Sequence, residues 1–137
     1  MGKSVVKILN NYKLSMIAIT LLLYLSFNNA ENYEDMSFMI FPHADKVIHF
    51  LMYFGVASAL YIDFIWLERK RATILSLAII VLLAGATEVG QQLFTDSRNG
   101  DIWDFLCNIS GGTVAMIVAP YTAKTYFKFI NYVRKLF

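Results

Sequence analysis

The stretch EVGQQLFTDSRNGDIWDFLCN, residues 88–108, decides the fold, because it joins two apolar runs through a short polar turn. Polar residues flank the turn on both sides: Glu88, Gln92, Asp101, Asp104 and Asn108. Positions three, four and seven apart lie on one face of a helix, so each side of the turn carries a polar stripe. The short turn predicts antiparallel helices whose stripes can meet. Ionisable groups inside a membrane are costly, so they indicate a functional site.

The composition is typical of a membrane protein. The chain has 137 residues, of which 58% are hydrophobic and 16% charged, and its mean hydropathy is +0.53. Soluble domains are about 45–50% apolar and about 25% charged. The apolar excess is gathered into runs, which indicates membrane helices in one domain. A single cysteine excludes an intramolecular disulfide, and the scattered basic residues argue against a nucleic-acid-binding face.

Four apolar runs predict an all-α membrane protein, a four-transmembrane-helix bundle. The first run, residues 14–27, is shorter than the roughly 20 residues of a span and could also be a signal-peptide core. The other runs cover residues 46–66, 73–94 and 102 to about 123. The remaining tail is basic and amphipathic, which predicts a C-terminal helix lying on the membrane surface. The predicted division is a basic N-terminus (1–13), a transmembrane domain (14–122, core motifs 45–112) and this tail (123–137).

The distribution of cations predicts the orientation. Ten of the twelve Lys and Arg residues lie in segments 1–13, 69–71 and 124–135. The positive-inside rule places these segments, and hence both termini, in the cytoplasm. Glu88 then lies roughly 9 Å below the outer end of its helix, at a depth similar to that of His49 and Asn108. We therefore expect a polar site in the outer leaflet, called the cup below.

The predicted cup comprises ten polar residues: Asp45, Lys46, His49, Tyr53, Glu88, Gln92, Arg98, Asp101, Asp104 and Asn108. Glu88, His49 and Asp104 are the candidates for moving protons. Lys46 and Arg98 are candidates for binding a phosphate or carboxylate, and the other five for binding a substrate.

The charges of the cup leave the question of a cofactor open. Four carboxylates against two cations leave an excess of two negative charges, which cannot easily stay bare in a low dielectric. Either carboxylates are protonated or a cation is held, and Mg²⁺, Mn²⁺ or Zn²⁺ would suit these ligand types. No set of metal ligands is assigned.

Three blocks in this region resemble the VanZ-like family. They are Asp45-Lys46-x-x-His49-Phe50-x-x-Tyr53, then Glu88-x-x-x-Gln92, then Arg98-x-x-Asp101-x-x-Asp104-x-x-x-Asn108-x-x-Gly111. The resemblance implies a small multi-pass protein of the bacterial cytoplasmic membrane, of a family associated with resistance to teicoplanin-type lipoglycopeptides. The chain departs from the family pattern in lacking a proline before Arg98 and in having Ala115 at a second glycine position.

Three classes of function fit these observations. The first is an enzyme that acts on a lipid headgroup or a lipid-linked cell-wall precursor, with water as the attacking group, because no nucleophile stands out. The second is a protein that binds or shields such a headgroup, or a lipoglycopeptide, without chemistry. The third is a structural network that assists helix assembly. Membrane lipids or a lipid-linked precursor are the expected partners, and the sequence does not define an oligomeric state.

Overall fold

The computed structural model describes residues 11–27, 43–94 and 101–136. These residues form four helices: α1 (Lys13–Phe27), α2 (Ala44–Trp66), α3 (Ala72–Phe94) and α4 (Ile102–Leu136). No strand occurs among them, so the all-helical prediction is confirmed for this part of the chain. Arg98, most of the predicted turn at 95–101 and most of the outer loop lie outside the described residues.

Three of the four helices are long and apolar enough to cross a membrane, namely α2, α3 and α4. Helix α1 has 15 residues. It is therefore about 22 Å long, whereas the hydrocarbon core is about 30 Å thick. The predicted four-span bundle is thus confirmed in part, as three candidate spans with a shorter apolar helix. The orientation of the termini stays a prediction.

The predicted separate surface helix at the C-terminus is wrong, because α4 continues without a break through Pro120 to Leu136. At 35 residues it is about 52 Å long, well beyond the thickness of the hydrocarbon core. Proline is tolerated inside such helices because neighbouring groups satisfy the freed carbonyl. The extension is held against the end of α2, where the Phe127 ring stacks on Trp66 with centroids 5.6 Å apart.

Helices α2 and α4 pack closely because small residues face the contact. Ala57 of α2 and Ala115 and Ala119 of α4 are fully buried. At Gly111 a side chain would run into the backbone of Phe50, so only glycine fits there. Small residues allow this close approach in membrane bundles, where packing rather than hydrophobic burial drives helix association.

Helix α1 is tied to the bundle by a polar contact at each end. The backbone N–H and the hydroxyl of Ser15 both donate to Oδ2 of Asp63 in α2, at 2.9 and 2.7 Å. Near the other end, Nε2 of Gln91 in α3 donates to the Ser26 carbonyl at 2.9 Å. These contacts fix α1 along its length against α2 and α3.

Candidate functional site

The start of α2, the end of α3 and the start of α4 meet at one end of the bundle. They bring together His49, Glu88 and Asn108, which the sequence placed on three separate helices. The antiparallel arrangement of α3 and α4 is what places Glu88 opposite the first turns of α4. Convergence of the predicted polar stripes is therefore observed, although the chemical roles of these residues stay predictions.

A continuous hydrogen-bonded chain runs from Glu88 through Asn108 to His49. Nδ2 of Asn108 donates to Oε1 of Glu88 at 3.1 Å, so Oδ1 is the acceptor end of this amide. Asn108 Oδ1 lies 3.0 Å from Nδ1 of His49. A carbonyl oxygen can only accept, so Nδ1 carries the proton. Nε2 of the neutral ring then holds the lone pair and can accept a proton.

The chain is buried, which makes its geometry well defined. Asn108 is fully buried and His49 is 6% exposed. A buried polar group without a partner would cost about 1–3 kcal/mol, so each bond in the chain resists being broken. The Glu88–Asn108 pair thereby holds the His49 ring in one orientation, much as a supporting residue orients a catalytic imidazole.

The Lys46 ammonium forms ion pairs with three carboxylates at the mouth of the cup. Its ammonium lies 2.8 Å from Oδ1 of Asp104, 2.9 Å from Oδ2 of Asp101 and 3.3 Å from Oδ2 of Asp45. Three carboxylates thus surround the cation that was predicted to bind an anionic substrate. Its charge is already neutralised within the protein, so an incoming phosphate would find little attraction at Lys46 itself.

Asp104 links the cluster around Lys46 to the histidine. While Oδ1 accepts from Lys46, Oδ2 lies 3.9 Å from Nε2 of His49. This separation exceeds the 2.7–3.2 Å of a nitrogen–oxygen hydrogen bond. The basic nitrogen of His49 is therefore adjacent to a carboxylate without being bonded to it.

Asp101 closes the cup at the start of α4. Its backbone N–H donates to Oε2 of Glu88 at 3.1 Å, and its Oδ1 accepts from the backbone N–H of Trp103 at 2.9 Å, as in an N-cap. The Trp103 hydrogen bond, together with Lys46, lowers the pKa of the Asp101 carboxyl below its ordinary value. Glu88 thus accepts a hydrogen bond on each oxygen, at the positive end of a helix dipole.

The other predicted cup residues are less central. Tyr53 lies one turn deeper and is fully buried, with its hydroxyl 2.6 Å from the Thr87 hydroxyl. Among the described residues it forms no hydrogen bond with an ionisable group of the cup. Gln92 lies with Glu88 and Asp101 on an open cavity of about 330 Å³ beside the cup. The Asp45 carboxylate is half exposed at the rim.

The described residues contain no group of three His, Cys, Asp or Glu side chains that could hold a metal ion. The carboxylates nearest one another instead surround the Lys46 ammonium. Lys46 was already counted in the charge balance, so these ion pairs leave the question of a bound cation as the sequence posed it.

Sequence reasoning missed Thr87 and Gln91, two buried polar residues of α3. They are four positions apart and so share a face adjacent to that of Glu88. Spacing from Glu88 selected Gln92, although Gln91 is the glutamine that bonds to α1. The same spacing applied from Thr87 would have found it.

Comparison with known proteins gives a matching family model and a relative. The family model described as VanZ/LLP1 matches residues 3–124, which is most of the chain and contains the whole cup. An uncharacterised protein of the fission yeast Schizosaccharomyces pombe is 31% identical over 77 residues. The match covers 56% of this chain and 47% of that protein, so the chain spans about half the length of this relative. No solved structure matches.

Proposed function

Because the chain belongs to the VanZ-like (VanZ/LLP1) family, we propose that its cup binds a lipid headgroup or a lipid-linked precursor in the outer leaflet and catalyses hydrolysis there. The observation that carries this proposal is the hydrogen-bonded chain from Glu88 through Asn108 to His49, from which the tautomer of His49 is inferred. The Glu88–Asn108 pair holds the proton on Nδ1, which leaves Nε2 as a base directed towards Asp104 and the mouth of the cup.

The reaction needs no protein nucleophile. Nε2 of His49 takes a proton from a water molecule, whose oxygen attacks an acyl carbon of the headgroup. The bond to the leaving oxygen breaks, and that oxygen receives the proton held on His49. Asp104 stabilises the transient imidazolium, since its Oδ2 lies 3.9 Å from Nε2. All atoms and charges balance, with water as the only second reactant.

The ion pairs of Lys46 limit the chemical classes of substrate that fit the cup. Since three carboxylates neutralise Lys46, binding of a phosphate falls to Arg98, while the carboxylates favour hydroxyl or amine groups of the headgroup. A sugar or polyol headgroup, joined to lipid through a phosphate, meets both requirements. A lipid-linked cell-wall precursor in a bacterial cytoplasmic membrane is one member of this class.

A variant of His49 tests this chemistry directly. In His49→Asn the amide N–H can replace Nδ1 as the donor to Asn108, but the basic nitrogen is gone. The purified protein is reconstituted in vesicles with glycolipids and lipid-linked precursors in ¹⁸O-labelled water, and ¹⁸O in the released products is measured by mass spectrometry. We expect incorporation by the unmodified protein and a loss of about 10²–10⁴-fold in His49→Asn, the usual contribution of a general base.

Tyr53→Phe is the matched control, because it removes a buried polar contact one turn below the cup without touching the His49 chain. It should retain the rate of the unmodified protein. Equal rates in His49→Asn and Tyr53→Phe would refute the general-base mechanism.

A second candidate function is binding without chemistry, including capture of a lipoglycopeptide of the teicoplanin type. The satisfied hydrogen bonds of Glu88 and Asn108 favour it, because a fully paired network is also a rigid binding surface. In that case the vesicle assay gives no ¹⁸O product, while His49→Asn still binds the headgroup or drug as tightly as the unmodified protein.

A further inference from the structure

A second polar pocket lies at the opposite end of the bundle from the cup. It is formed where the start of α1, the end of α2 and the C-terminal extension of α4 meet. Asp63, which lines it, follows His49 by fourteen positions, so the two sites are about 21 Å apart along α2. Trp66 lies about 30 Å from Lys46 by the same measure, which equals the thickness of the hydrocarbon core. The pocket is therefore at the other membrane interface, where tryptophan is enriched.

One acidic residue, Asp63, lines this pocket. Asp63 is 5% exposed, an unusual degree of burial for a carboxylate. Both hydrogen bonds that it accepts from Ser15 go to Oδ2. Oδ1 accepts none from the described part of the chain and is available to a donor in the pocket. A buried carboxylate with one oxygen unbonded favours a cationic donor, because an ion pair offsets part of its desolvation.

Two basic residues also line the pocket. Lys13 and Arg134 both have exposed side chains there. The guanidinium of Arg134 lies 5.4 Å above the Trp66 ring, a cation–π contact that fixes its position. Trp66 is itself stacked on Phe127. A guanidinium held in this way presents its planar fork to a phosphate at the membrane surface.

The size of the pocket and the charges of its lining residues indicate which kind of ligand it binds. The cavity volume is about 150 Å³, roughly ten times the 10–15 Å³ that one water needs. It accommodates a small polar headgroup and not an acyl chain. We propose that this pocket binds the headgroup of a zwitterionic phospholipid, with the phosphate on Arg134 and Lys13 and a primary amine on Asp63. The site is independent of the cup and of its proposed chemistry.

The experiment compares lipids that share the phosphate and differ in the amine. The full-length protein is purified with retained lipid and titrated in nanodiscs with phosphatidylethanolamine or phosphatidylglycerol of the same acyl chains, and bound lipid is counted by native mass spectrometry. We expect a preference of about tenfold or more for phosphatidylethanolamine, since a hydrogen bond to a charged group contributes on that order. Asp63→Asn keeps an acceptor for Ser15 but loses the charge, so it should bind the two lipids equally.

Further variants separate binding from helix assembly. Ser15→Ala weakens the contact between α1 and α2 while retaining the Asp63 charge, so it should lower the melting temperature and keep the lipid preference. Lys128→Gln is on the same helix as Arg134 but outside the pocket, so it should leave the lipid preference unchanged. Arg134→Gln should weaken the binding of both lipids. A preference that persists in Asp63→Asn, or no preference in the unmodified protein, would overturn the assignment. If soluble phosphoethanolamine competes for the pocket and the phospholipid does not, the conclusion that the ligand is a membrane lipid would be overturned.

Discussion

The close approach of α2 and α4 at Gly111 predicts a specific loss in Gly111→Ala. A methyl group there would lie 3.0 Å from the carbonyl carbon of Phe50 and closer still to its oxygen. Carbon atoms prefer about 3.5–4.0 Å, so the helices must separate by at least about 0.5 Å. The atoms in the way belong to backbone and cannot rotate aside.

The consequence for the cup follows from the positions of the neighbours. Phe50 follows His49 directly, and Gly111 lies one turn after Asn108. The His49–Asn108 contact, now 3.0 Å, would lengthen to about 3.5 Å and leave the range of hydrogen bonds. Overpacking of this kind costs about 1–3 kcal/mol. Since alanine is favoured over glycine in a helix by about 1 kcal/mol, part of that cost is offset.

Gly55→Ala is the matched control, because nothing lies within 4 Å of a side chain added there. It should be neutral or stabilising by up to about 1 kcal/mol, the helix propensity alone. The stability of both variants can be compared by denaturant titration in micelles.

The tautomer of His49 provides a second readout. The chain contains only two histidines, so ¹⁵N imidazole spectra can be assigned with the variant His43→Gln. The unmodified protein should show a protonated Nδ1 at His49, and Gly111→Ala should show a mixture of tautomers. Equal stability of Gly111→Ala and Gly55→Ala, with an unchanged His49 spectrum, would refute the argument that this close approach positions the cup.

Two further predictions concern the pH response and the orientation. The Trp103 N–H and Lys46 lower the pKa of Asp101 in the folded protein. The ionised carboxylate therefore stabilises the fold fully at a pH above the ordinary aspartate pKa of about 3.9. This stabilisation is lost as the pH falls towards the lower pKa of the folded state. The difference in melting temperature between the unmodified protein and Asp101→Asn should therefore shrink below that pH, and a difference independent of pH would contradict this. For the orientation, a cysteine at Ser97 should react with an impermeant reagent on intact cells and one at Lys70 should not. The reverse pattern would place the cup on the cytoplasmic side.

Periodicity in the sequence was sufficient to predict that three polar residues from different helices meet in the cup. Glu88, Asn108 and His49 each occupy a polar position on an otherwise apolar helix, and a short turn fixes two of these helices as antiparallel. Few arrangements then satisfy all the polar groups, since unpaired ones in a membrane are costly. The predicted convergence follows from this constraint more than from any detail of side-chain packing.

The partners of individual side chains could not be predicted in the same way. Tyr53 shares the stripe of His49, but it is a turn deeper and meets Thr87 instead of the ionisable groups. The basic, amphipathic tail at 123–137 predicted a separate surface helix, yet stacking of Phe127 on Trp66 holds the continuation of α4 in place. Asp63 is one acid in an apolar run, and only the approach of α1 shows that it is buried and bonded. Each outcome depends on contacts between helices that the sequence pattern does not encode.

The distribution of charge explains how so many carboxylates coexist in the cup. Lys46 forms ion pairs with Asp101 and Asp104 at the mouth of the cup, while Glu88 accepts hydrogen bonds from neutral donors, the Asp101 N–H and the Asn108 amide. These two N–H donors, one of them at the start of α4, satisfy both oxygens of Glu88 without a bound cation. The Asn108 amide that donates to Glu88 accepts from His49 through its oxygen, so it fixes the proton of the neutral ring on Nδ1. The arrangement that satisfies the Glu88 carboxyl group is therefore the same one that leaves the lone pair on Nε2 of His49.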